Sequence, residues 1–304
     1  MFFDVPHVWG TIYKTYLDKS QLEKHKALYI WIPLITFIVL LILTLADSTL
    51  YLLFFVLAFF AVFHFIKQQL WFIMLYAYKE INKSNTSILM DKILAWIITW
   101  WPILYWFSNL DTRNYNWFTN DDFIKLPDIL FPAIWYISIL FWLFYIWYEI
   151  FRYKKWEILN IWKYLYILWT FFVWFYWIVW TNSMLIFWLW NMLLHGWNFF
   201  AITYYSTKDR INKWLFKTYK IFNFFANKNI FLFILPLFII WFIEQSTWAL
   251  FLDNEEFFHY FYNMKLYELF KNINIYVFSI TIALLALPQT THYILDGIIW
   301  KKWH

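Results

Sequence analysis

Residues 27–46 read ALYIWIPLITFIVLLILTLA, 20 residues without a charged side chain. A helix of that length rises about 30 Å, the thickness of the hydrocarbon core of a bilayer. The segment is bounded by charge on both sides, with Glu23, Lys24 and Lys26 before it and Asp47 after it. In lipid, a helix is the one local structure that satisfies every backbone polar group within its own segment. This stretch therefore predicts a membrane-spanning helix, and it sets the ruler for the rest of the chain.

Working outward with that ruler gives eight candidate spans: 27–46, 49–78, 91–110, 128–151, 157–181, 184–206, 229–251 and 273–300. The fold class expected is all-α, a polytopic helical bundle integral to a membrane. The second span is long enough to continue past the bilayer as a helix. Pro102, Pro132, Pro236 and Pro288 fall inside spans, where neighbouring helices can take up the carbonyls that proline frees. Residues 1–26 read as an amphipathic N-terminal arm, and 27–304 as one transmembrane domain. No soluble domain and no internal repeat is legible.

Composition agrees. The chain has 304 residues, 63% hydrophobic and 14% charged, more apolar surface than a soluble core of this size can hide. With no cysteine, disulfides, thiolate ligands and a cysteine nucleophile are excluded. The N-terminal segment lacks the apolar core and small-residue site of a cleavable signal peptide. P-loop, dinucleotide, Gly-Xaa-Ser-Xaa-Gly and HExxH motifs are absent, which removes support for nucleotide-driven and hydrolase functions. The formal charge of +5 needs no nucleic-acid partner, because the basic residues follow membrane orientation.

Lys14, Lys19, Lys24 and Lys26 precede the first span. Lys79, Lys83 and Lys92 lie around the second-to-third connection, and Arg152, Lys154, Lys155 and Lys163 around the fourth-to-fifth. Lys208, Arg210, Lys213, Lys217, Lys220 and Lys228 join the sixth to the seventh, and Lys301 and Lys302 follow the eighth. The other side holds only Arg113, Lys125, Lys265 and Lys271, with the acidic Asp111, Asp121, Asp122, Asp253, Glu255 and Glu256. By the positive-inside rule both termini are cytoplasmic, and the expected location is the cell's inner (plasma) membrane. Trp300 reads as an interfacial anchor, and Tyr13, Tyr16, Tyr204 and Tyr205 as part of an aromatic belt.

The glycine content departs from the norm. The chain has 3 glycines and 25 tryptophans, whereas glycine alone averages about 7% of residues. One explanation is a gene that uses UGA as a glycine codon, as some bacterial lineages do, translated as though UGA meant tryptophan. The other is an aromatic-rich, AT-biased membrane protein. Mass spectrometry of native peptides containing positions 71 and 197 decides between them.

Three of the seven histidines lie within spans: His64 in the second, His195 in the sixth and His292 in the eighth. These spans run in the same direction, so depth is comparable, and each histidine sits about 14–22 Å from its basic inner end. Each has a polar side chain one turn on: Gln68, Asn198 and Asp296. His292 and Asp296 in TTHYILDGIIWKK (290–302) stack on one helix face, about 6 Å apart along the axis. A fourth histidine, His7, lies three residues after Asp4 on the N-terminal arm. Neutral imidazole is the commonest protein metal ligand, and carboxylate or amide oxygen completes sites for iron or manganese. The simpler reading of any one of these histidines is a hydrogen bond between helices. Lys67 reads as a snorkelling residue or a partner of Asp296, and His25, His259 and His304 as solvated.

Four blocks, DVPHVWGTIYKTYLD (4–18), HFIKQQLWFIMLY (64–76), HGWNFFAITYYS (195–206) and HYILDGIIWKK (292–302), resemble an uncharacterised family of bacterial polytopic membrane proteins. The family pattern is D-x-x-H-V-x-x-T, then H-[FY]-x-x-Q-x-[YL]-G, a helix with H-x-x-[QN]-[YF], and H-[YF]-x-x-D-G-x-I-W. Trp71 stands where that pattern has glycine, Asn198 where glutamine is usual, and Phe200 where a polar residue often follows. In kind, the design is similar to bacterial membrane carotenoid-cleaving dioxygenases, which place histidines on several membrane helices to bind iron.

The expected function is an integral-membrane, histidine-ligated metalloprotein, an iron-dependent oxygenase or hydroxylase acting on a lipid-soluble substrate. His64, His195 and His292 are the candidate ligands, with His7 a fourth. Asp296 is a ligand or orienter, and Gln68 and Asn198 hold imidazole tautomers. An open coordination position would serve dioxygen chemistry. Zinc or manganese are the alternatives to iron. The competing functions are a proton-coupled transporter using the same groups as a relay, and a structural membrane subunit in which they join helices.

Overall fold

The computed structural model describes residues 4–45, 47–80, 84–110, 125–155, 157, 159–181, 194–207, 230–252 and 274–299. Every element of secondary structure among them is helical. In chain order these are α1 (Asp4–Lys14), α2 (Lys19–Lys24), α3 (Lys26–Thr44), α4 (Asp47–Ala77), α5 (Asn85–Ser108), α6 (Leu130–Lys154) and α7 (Ile161–Phe175). A helix over 194–207 (α8), α9 (Ile230–Leu252) and α10 (Ile275–Ile299) complete the order. Local sequence sets several of the starts. Asp18 accepts from the backbone N–H of Ser20 and Gln21 to cap α2, Ser84 caps α5 through Ser87 N–H, and Asn160 caps α7 through Trp162 N–H; each satisfies a donor that the first helical turn leaves free. A π-helical turn, Tyr176–Trp180, continues α7.

Among the described residues, 7 helices are long and apolar enough to cross a membrane: Lys26–Thr44, Phe55–Ala77, Asn85–Ser108, Pro132–Lys154, Ile161–Trp180, Ile230–Trp248 and Ile275–Ile299. They match seven of the eight spans expected. The first part of the remaining span, 184–193, lies outside the described residues, as do the acidic segments 111–124 and 253–273, the basic segment 208–229, His259, and 300–304 with Trp300, Lys301, Lys302 and His304.

The chain divides into two compact units, Met1–Phe60 with Gly196–His304, and Ala61–His195. In the first, α3 packs along α10, and α1 packs on α9 and α10. Leu40, Leu53, Ile282, Ala283 and Ala286 form the core between α3, α4 and α10. Thr44 and Ser279 tie α3 to α10 by exchanging hydrogen bonds: Thr44 Oγ1 donates to Ser279 O at 3.2 Å, and Ser279 Oγ donates to Thr44 O at 2.7 Å. Such small polar residues join helices where lipid offers no hydrophobic drive. A second cluster gathers Tyr13, Phe200, Phe233, Ile234 and Leu237. Tyr13 was expected in an interfacial belt; instead it is buried, its ring stacked on Phe233 and its hydroxyl donating to Phe233 O at 3.0 Å. Burial pushes its pKa up, so the phenol remains a neutral donor. Of the other belt residues, Tyr16 donates to Tyr29 O, Tyr204 packs on Phe233 and Tyr205 is exposed.

The second unit is built from the later part of α4 with α5, α6 and α7. Its core holds Leu70, Ile73, Met74, Ala77, Leu94, Ala95, Ile98, Tyr145 and Ile167. At the end where α4 and α6 finish and α5 and α7 begin, a charged network is buried. Lys163 Nζ meets Glu80 at 2.9 Å, Asp91 at 3.3 Å and Glu149 at 3.6 Å. Arg152 pairs with Glu80 at 3.1 Å, Glu149 at 3.0 Å and Glu157 at 2.6 Å. Tyr145 donates to Asp91, and Tyr164 to Glu149. Arg152 and Lys163, counted among the flanking cations that orient the chain, therefore point inward and neutralise carboxylates. The low dielectric of the interior makes such partners necessary.

Candidate metal centre

His7 is carried by α1 and His292 by α10, both in the first unit, and each is 1% exposed. Their Nε2 atoms face each other at 3.0 Å, with the rings nearly perpendicular. The register of α1 explains the approach. His7, Thr11 and Thr15 are buried at four-residue spacing, which places them on one helix face. Thr11 Oγ1 lies 2.5 Å from His292 Nδ1, and Asp296 Oδ1, one turn along α10, lies 3.8 Å from the same nitrogen. The carboxylate, which can only accept, favours the tautomer with hydrogen on Nδ1; the hydroxyl can then accept that hydrogen, and the Nε2 lone pair is aimed at His7. Phe199 from α8 packs edge-on against both rings, at 5.2 Å from His7 and 5.6 Å from His292. Gly10 permits this contact: a Cβ there would meet Phe199 Cε1 at 3.0 Å. Alongside, Trp9 donates its indole N–H to Glu244 at 2.5 Å, fixing α1 against α9.

In the second unit, His64 on α4 and His195 at the start of α8 are also buried. Their ring centroids are 5.0 Å apart, edge to face, and Phe65 packs on His195 at 4.7 Å. Gln68 is buried one turn from His64. Gln68 Oε1 accepts no hydrogen bond among the described residues. Asn198 is half-buried on α8. Lys67 turns outward and lies 5.9 Å from the Phe63 ring and 5.7 Å from the Trp96 ring. His25 is half-buried and packs edge-on against Tyr29.

His7, His64, His195, His292 and Asp296 thus make up buried His/Asp clusters capable of coordinating a metal ion. Neutral imidazole nitrogens backed by oxygen partners suit iron, manganese or zinc. Thr11 closes the D-x-x-H-V-x-x-T pattern of the N-terminal block, but the sequence assigns it no role toward the imidazoles. A second signal is the four-residue spacing from His7 in HVWGT. Compared with family models, curated proteins and solved structures, the chain matches none of them.

Proposed function

We propose that this is an integral-membrane, histidine-ligated metalloprotein, with His7, His64, His195 and His292 as ligands and iron the favoured ion. The observation that carries the reading is the His7–His292 pair, buried, with Nε2 atoms 3.0 Å apart and with Thr11 and Asp296 on the far nitrogen of His292. Both nitrogens would lie within bonding reach of one ion held between them. When bound, such an ion supplies redox and Lewis-acid chemistry. The chain's own groups bind it, orient the imidazoles and keep water out with Phe199 and Phe65. The reaction class that fits an apolar surround and a lipid-soluble substrate is oxygenation or hydroxylation.

The 3.0 Å contact is also the length of a hydrogen bond between two imidazoles, the arrangement of a proton relay. Elemental analysis separates the two. Purified wild-type protein is expected to carry a first-row transition metal, and His64→Ala and His292→Ala to lose it. The metal-to-chain ratio counts the ions. Equal metal content in all three proteins rules out the metal reading and leaves the relay.

The same reading gives eight spans, both termini in the cytoplasm and residence in the plasma membrane. Its support is the alternation of lysine and arginine along the sequence.

A further inference from the structure

The second unit contains a cavity of about 290 Å³ between α5, α6 and α7. Four of its walls are rings: Trp101, Trp135, Trp142 and Phe171. Its one hydroxyl is that of Ser138, which donates to Ile134 O at 2.7 Å, so the donor of this side chain is already used. The floor is buried, with Ile98 2% exposed, while the rim residues Leu143 and Leu168 are 60% and 57% exposed. All of these residues lie within helices of membrane-crossing length, roughly one and a half to three and a half turns from the C-terminal end of α5 and the N-terminal end of α6. The mouth therefore opens sideways into the hydrocarbon.

An apolar cavity does not hold water, because water there lacks the two to four polar partners it needs. Left empty, its walls forfeit dispersion contacts on one side. A filler must come from whatever solvates the rim, and at this depth that is hydrocarbon. Lipid chains gain no hydrophobic free energy on moving from bilayer to protein, so what selects an occupant is fit. At the ~30 Å³ that a water-sized group occupies, the cavity takes about ten methylene groups. Flat indole walls suit a single chain laid against ring faces, and the size excludes a whole two-chain lipid.

We infer that this cavity is a binding site for one hydrocarbon chain of a bilayer-resident molecule, entering laterally past Leu143 and Leu168. The site rests on the membrane fold and not on the metal, so it stands or falls separately from the proposed function.

The probe is a fatty acid carrying a mid-chain diazirine, added to the protein in nanodiscs and mapped by mass spectrometry after photolysis. Label is expected on the buried Ile98 and Ser138 as well as on the lipid-exposed Ile146 and Trp147. Excess unlabelled fatty acid suppresses the first pair and not the second. Ser138→Phe fills the cavity and lowers label at Ile98 about tenfold, with Ile146 unchanged. Ile97→Phe does the same from the α5 side if the first variant fails to give a native circular-dichroism spectrum. Label confined to Ile146 and Trp147, an annular lipid only, overturns the site. So does label at Ile98 that neither competitor nor either filling variant reduces.

Discussion

Thr11 meets His292 on its Nδ1 side. With its hydroxyl 2.5 Å from Nδ1 and the acceptor-only carboxylate of Asp296 at 3.8 Å, a proton on Nδ1 would be held by the hydroxyl and the lone pair left on Nε2. Losing a partner of this kind costs a metal site about 10- to 100-fold in affinity. Thr11→Val keeps the shape and removes the hydroxyl, and is expected to weaken binding by that factor in a chelator competition. Thr11→Ser restores the hydroxyl and is expected to bind as the wild type does. A valine variant as tight as wild type rules out the positioning role without touching the proposal of a metal site. The histidines and Asp296 were legible in the sequence because titratable groups are rare in apolar runs, and each one stands out. Thr11 stood in the pattern of the first block, but its contact with His292 was not legible, since a threonine on an amphipathic helix is ordinary and its partner lies 281 residues away. Spacing revealed that His7 and Thr11 share a face. It could not reveal what that face meets.

Between elements, the same limit of sequence explains Arg152 and Lys163. A cation near the end of an apolar helix reads as a flank in the headgroup region, because sequence gives its depth along the helix and not the direction it faces. Both turn inward because Glu80, Asp91 and Glu149 wait there; Glu149 is one turn before Arg152 on α6, but Glu80 and Asp91 lie on stretches that no local pattern connects to either cation. Lys163 is fully buried and meets all three carboxylates. Replacing one partner of a buried ion pair by an apolar group strands the others, at a cost of about 3–5 kcal/mol. Lys163→Met is expected to lower stability by that amount in a denaturant series in mild detergent. Adding Asp91→Asn, which removes one stranded charge and keeps an acceptor for the Tyr145 hydroxyl, recovers part of it. A loss below about 1 kcal/mol is the behaviour of a surface pair, and would mean the network does not hold α4 to α7 together. Gly10 shows the opposite case, where a single residue was readable only from packing: its lack of a Cβ lets Phe199 close over the imidazoles.

For the whole molecule, hydropathy carried most of the information, since a bilayer imposes one length on every crossing and that length can be counted along the chain. Seven of the helices so counted are described, and their number matters for parity. With a crossing added over 184–206 the two termini share a side; without it they are opposed. The chain contains no cysteine, so single cysteines introduced at chosen positions report sidedness without a background. Lys14→Cys, Lys79→Cys and Lys302→Cys are expected to resist a membrane-impermeant maleimide in intact cells and to react once the cells are permeabilised. Asp128→Cys, in the exposed segment before α6, is expected to react in intact cells. Labelling of Lys302→Cys but not Lys14→Cys would show an odd number of crossings and remove the span over 184–206. Labelling of Lys79→Cys with protection of Asp128→Cys would invert the whole topology, and with it the rule that the lysines and arginines mark the cytoplasmic side.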